Sequence, residues 1–109
     1  MISSDGIRGY NDAIILAVLQ GGDSYGYKIA QRIAQRTDGA YEIHETTLYS
    51  AFTRLVKAGY IAAYPGEISY GRPRTYYHLT EAGAAYLTAK KAEWVQVQAV
   101  VSHFLAEEQ

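Results

Sequence analysis

Seven consecutive apolar residues, Ala13-Ile14-Ile15-Leu16-Ala17-Val18-Leu19, leave no polar position anywhere around a helix. Such a segment must be covered on every side. It is too short to cross a bilayer, which takes about 20 residues, so protein has to cover it. A chain of 109 residues makes one domain, burying roughly 60–70% of its unfolded surface, and rarely wraps one helix completely. The segment therefore points to a domain that meets a second copy of itself. With 49% apolar and 19% charged residues the chain is not of the disordered class. It has no Cys, so a disulfide framework and a thiolate metal site are excluded, which suits the cytoplasm. Met1-Ile2-Ser3-Ser4-Asp5 lacks the basic opening of a signal peptide. A cytoplasmic domain with no membrane partner is expected.

Periodicity orders the rest. Gly21-Gly22 ends the first helix, and Ser24 is placed to cap a second one through about Thr37. On it Ile29, Ala30 and Ile33 face inward, with Lys28, Arg32 and Arg36 outward. Asp38-Gly39 is a turn. A third helix runs from near Glu45 to Ala58, with Leu48, Ala51, Phe52, Leu55 and Val56 on its inner face and Gly59 as its C-terminal stop. The period then changes. Residues 60–64 and 74–79 are aromatic-rich short runs that read as strands, and residues 65–73 read as a protruding loop between them. Thr80 caps a long last helix from Glu81 to about Ala106. Leu87, Trp94, Val97, Val101 and Phe104 follow a heptad seam on it, interrupted at Lys90.

Three helices, a two-stranded β wing and a long helix make a mainly α winged helix-turn-helix. Residues 1–79 form the expected DNA-binding region. Residues 80–109 form a dimerisation helix packed as one unit with the first helix. Leu87, Val97, Val101 and Phe104 are the expected dimer contacts, and the product is a homodimer.

The net charge of −1 hides an uneven spread: −2 over residues 1–23, +3 over 24–78 and −2 over 79–109. A basic middle fits a polyanion. In a helix-turn-helix the second helix of the motif enters the major groove, which here is Glu45–Ala58. Thr46, Thr47, Ser50 and Thr53 offer hydroxyls to phosphates or base edges, Tyr49 a phenol, and Lys57 a charge. Taken singly, each hydroxyl is equally a cap or solvated surface; together with a basic loop they favour DNA. Arg72 and Arg74 flank Pro73 in that loop and suit a phosphate backbone or a narrow minor groove. Tyr25 and Lys28 stand where they could reach phosphates beside the motif, although Tyr25 and Tyr27 serve equally well as core. Arg54 is placed to turn inward to the acids of its own helix. Two recognition helices about 34 Å apart would read a palindromic operator in double-stranded DNA.

Ser24-Tyr25-Gly26-Tyr27-Lys28-Ile29, Thr47-Leu48-Tyr49, Arg54-Leu55, Gly59-Tyr60-Ile61 and Gly71-Arg72-Pro73-Arg74-Thr75-Tyr76-Tyr77-His78-Leu79-Thr80-Glu81-Ala82-Gly83 together resemble the PadR family of transcriptional regulators over nearly the whole chain. The resemblance implies a dimeric winged-helix repressor whose C-terminal helix makes the dimer. The single C-terminal helix is similar to that of the compact, multidrug-responsive branch, in which a planar aromatic or phenolic molecule stacks between paired tryptophans at the dimer centre. On that resemblance Trp94, Gln98, Ala13, Leu16, Ala17 and Gln20 are the expected effector-binding residues. Gln98 is neutral where that branch carries an acid, which removes a charge suited to cationic drugs. Trp94 is accounted for equally by core packing at an a-type seam position.

Enzyme chemistry finds no motif. His44, His78 and His103 lie on separate elements without metal-ligand spacing, and no nucleophile elbow or phosphate-cradling glycine pattern is present. No catalytic residue, cofactor or metal is expected. A winged-helix module that binds a protein and has no operator, and a small-ligand carrier without DNA affinity, are the alternatives.

Overall fold

The computed structural model describes residues 7–69 and 71–106, except the side chains of residues 67–69 and 72. Helix α1 spans Asn11–Leu19, strand β1 Ser24–Tyr25, α2 Gly26–Arg36, α3 Glu45–Ala58, β2 Ile61–Ser69, β3 Arg72–Leu79 and α4 Glu81–Leu105. The sheet is antiparallel with order β1-β3-β2.

The apolar α1 sits at the centre. Ile15, Leu16, Val18 and Leu19 are buried against Ile29 and Ile33 of α2, Leu48, Phe52 and Leu55 of α3, and Leu87 of α4. Ala13, Ile14 and Ala17 are only partly covered. The chain on its own therefore leaves a strip of α1 open.

Helix α3 has the bounds that the periodicity predicts, and Gly59 closes it in the left-handed conformation at φ 83°. Val56 is a correction: it is 41% exposed, because 3.6 residues per turn carry it about 80° away from Leu48. Ser24 is a second correction. It is not the cap of α2 but a buried residue of β1 paired with Tyr77. The chain stays extended through Tyr25, which becomes the N-cap without a side-chain hydrogen bond.

The wing also differs from expectation. Both strands run further than residues 60–64 and 74–79, and Ser69 pairs with Arg72 to give a hairpin instead of a long loop. The extra residue is absorbed as a bulge, since Pro65 pairs with Thr75 and Ile68 with Pro73. Pro65 is tolerated because β2 is an edge strand. Helix α4 leaves the domain through Thr80, whose Oγ1 accepts from Gly83 N at 3.0 Å and donates to the Gly59 carbonyl at 2.7 Å.

Candidate nucleic-acid interface

The outer face of α3 is set by its inner one. Thr46, Ser50, Thr53 and Lys57 stand at about 140–200° from Leu48 around the helix axis, and all four are exposed. The stripe contains no acid; the one acidic residue of α3, Glu45, is in its first turn. Thr53 Oγ1 donates to the Tyr49 carbonyl at 3.1 Å, which leaves its lone pairs outward. Thr47 is not on this stripe. It lies half-buried on the flank shared with Arg54, lining a polar cleft of about 840 Å³ between α1 and α3. Arg54 departs from expectation: it turns not to an acid of its own helix but to Asp12 of α1, donating at 2.6 Å across that cleft.

Tyr49 occupies the opposite flank, toward α2 and the wing. Its ring meets Phe52 edge-on at 5.4 Å, and Phe52 stacks on Tyr77 of β3 at 4.1 Å. Here the structure joins residues that the sequence treats separately. Tyr25, Gly26, Tyr27, Tyr49, Arg74, Thr75 and Tyr77 line one depression of about 310 Å³ where wing and helix meet. The Arg74 guanidinium lies over the Tyr25 ring at 4.1 Å from its centroid, a cation–π contact that orients the arginine. Tyr25 in turn leans on Tyr76 at 5.3 Å. Lys28 is half-buried in the first turn of α2. Arg72 opens β3 at the wing's tip; its side chain lies outside the described atoms. Tyr27, which sequence reasoning treats as a core candidate, is 72% exposed beside this depression.

The wing is tied to the exit of α1 by Asp23. Tyr64 of β2 donates its hydroxyl to Oδ2 at 2.6 Å, and His78 Nδ1 of β3 stands 2.8 Å from Oδ1. These bonds, that of Tyr64 foremost, hold the Asp23 carboxyl below its ordinary 3.8. His44 is the N-cap of α3 and His103 lies in the last turn of α4. Among the described residues no group of three His, Asp or Glu is arranged to hold a metal ion, and no helix is long and apolar enough to cross a membrane.

A second region opens beside α1. Ala13 and Ala17, with Ile7, Tyr10, Ile14, Leu87, Lys90, Lys91 and Trp94, line a groove of about 330 Å³. Trp94 is 45% exposed and meets Tyr10 edge-on at 5.2 Å. Three expected effector residues lie elsewhere. Leu16 is fully buried in the chain's own core, Gln20 accepts from Lys91 Nζ at 3.2 Å outside the groove, and Gln98 is exposed one turn beyond Trp94. Of the expected dimer contacts, Leu87 packs inside the chain's own core, because α4 still touches α1 there. Val97 is partly exposed, and Val101 and Phe104 are exposed.

A family model described as the transcriptional regulator PadR-like family matches residues 15–89. An uncharacterized protein of Lysinibacillus sphaericus is 44% identical over 105 residues, covering 96% of each chain. Among solved structures, a transcriptional regulator from Clostridium thermocellum is 51% identical, with 94% of this chain and 99% of that one covered at a TM-score of 0.89. A PadR family transcription regulator from Clostridium difficile is 35% identical, with 90% and 100% covered at a TM-score of 0.78.

Proposed function

The chain belongs to the PadR-like family of transcriptional regulators, DNA-binding proteins without enzymatic activity, and from that premise we propose that it is a homodimeric repressor released from its operator by a planar aromatic or phenolic molecule. The observation that carries the DNA half is the exposed stripe of Thr46, Ser50, Thr53 and Lys57, free of acid and set beside a wing bearing Arg74. Hydroxyls of this kind bond to phosphates and base edges in the major groove, and Lys57 adds a point charge. Arg72, Arg74, Tyr25 and Lys28 extend the footprint to the flanking backbone. Thr47 is assigned to the phosphate at the edge of the footprint, because it stands on the flank of the helix.

Release follows from differential binding. An effector shifts an equilibrium between dimer geometries only by the difference in its affinity for the two. The groove at Trp94 supports such a site: it is apolar and one wall is an indole suited to stacking.

The test is retention of duplexes from a genomic library by the purified protein, followed by titration of the selected duplex at several salt concentrations. Arg72→Ala with Arg74→Ala is expected to weaken binding across sequences and reduce the salt slope by about 2, because two phosphates are no longer neutralised. A slope equal to that of the unsubstituted protein removes the wing from the footprint. Retention of no duplex at all favours the protein-interaction alternative.

A further inference from the structure

Gly26 of α2 and Tyr49 of α3 meet where α2 begins. Gly26 is the buried first residue of α2, and its backbone is helical, so flexibility does not explain a glycine there. Space does. An ideal Cβ on residue 26 would collide with Tyr49 Oη and stand 2.9 Å from Cζ, closer than atoms of a packed interior approach. The phenol of α3 therefore rests on the bare backbone at the start of α2. On its inner side the ring is backed by Phe52, which meets it edge-on at 85° and is itself stacked on Tyr77 in β3, so its only way out is toward solvent, where it is 46% exposed. Tyr77 pairs with Ser24 in β1, the strand that leads directly into Gly26. The chain of contacts closes on itself: Gly26, Tyr49, Phe52, Tyr77, Ser24.

We propose that Gly26 is a positioning residue for DNA recognition, the seat on which Tyr49 locks α3 at one rotation relative to α2 and the wing, and that this lock sets sequence selectivity. The inference rests on the duplex reading given above. A helix turned about its own axis presents different side chains to the groove, so its rotation is part of readout. A methyl group at residue 26 has two outcomes, and both alter the DNA face. Either α3 shifts, or the Tyr49 ring swings outward into the depression beside Arg74.

The lock makes a prediction of sign. At a helical position without positive φ, alanine is favoured over glycine. With Tyr49 present, Gly26→Ala should lower Tm by roughly 4–8 °C; in a Tyr49→Ala background the same substitution should leave Tm unchanged or raise it. A double-substitution cycle read by thermal unfolding tests this without DNA. The second readout is the ratio of affinities for the library-selected duplex and a scrambled one, taken well below Tm. Gly26→Ala should lower that ratio by about tenfold, the effect of 1.4 kcal/mol, and should not lower it further in the Tyr49→Ala background. Additive effects on Tm overturn the lock, as does a selectivity ratio unchanged by Gly26→Ala. If the unsubstituted protein retains no duplex, the DNA reading falls and the role in selectivity falls with it, while the unfolding cycle still decides the packing.

Discussion

Asp23 does more at the residue scale than its exposed position suggests. It follows Gly21-Gly22, where α1 has ended, and receives one hydrogen bond from each strand of the wing. Loss of this carboxylate frees the wing from the α1 exit without touching the core. The pH dependence has a definite sign. The folded carboxyl is held below 3.8 by Tyr64 and His78, so its contribution is complete above the unfolded carboxylate value and fades as pH falls below about 4 toward the folded one. On the alkaline side the Tyr64 hydroxyl is raised above 10.0, chiefly by its bond to Asp23. Its contribution is complete below that value and fades as pH rises through the folded one. Asp23→Asn is therefore expected to flatten the acid limb of a stability curve followed by circular dichroism, and to lower Tm at neutral pH by about 2–4 °C, as befits an exposed pair. An acid limb as steep as that of the unsubstituted protein would show that the tie contributes nothing.

Among the elements, the joint at Thr80 governs how α4 leaves the domain. One hydroxyl serves both the first turn of α4 and the last residue of the α3 cap. Thr80→Ala removes both bonds and is expected to cost about 1–2 kcal/mol, a fall of roughly 4–16 °C in Tm, whereas Thr80→Ser, which keeps the hydroxyl, should recover most of it. Elements with a long hydrophobic period were legible from the residues alone: α3 from Glu45 to Ala58, and α4 from its Thr cap. Strand β1 was not. Two residues contain no period, and Ser24 beside a helical run looks like a cap until Tyr77 is known to pair with it. The wing's length escaped for a related reason. Pro65 and Gly66 are turn residues by composition, and only the bulge lets them stay in an edge strand. At the site, the outward stripe of α3 followed from spacing. The contact of Arg74 with Tyr25 and the seat of Tyr49 on Gly26 join residues far apart in sequence, and local pattern cannot encode such meetings.

The whole molecule is extended where a chain of this size is usually round. Its radius of gyration is 15.6 Å and its longest extent 59 Å, against roughly 13 Å for the radius of a compact domain of this length. Helix α4 is responsible, reaching about 37 Å at 1.5 Å per residue and keeping only Gly83 and Leu87 buried. Beyond Leu87 it presents Trp94, Val101 and Phe104, the last 81% exposed, while α1 leaves Ala13, Ile14 and Ala17 partly open. Two unfinished apolar faces on one chain can finish each other in a twofold pair, since a contact made once is made twice. Val101→Asp with Phe104→Asp withdraws two such side chains from each copy, worth about 1.5–3 kcal/mol per burial, and should convert a micromolar dimer to monomer in sedimentation. Duplex affinity should fall with it, because two tethered half-site contacts become two separate ones. Trp94→Ala separates assembly from effector binding. If the indole is the stacking wall of a ligand site, the variant should sediment as a dimer and retain the selected duplex, yet show no heat on titration with a planar aromatic carboxylate such as 2-naphthoate. Dissociation of that variant instead would make Trp94 a packing residue of the pair, and the effector would have to bind elsewhere.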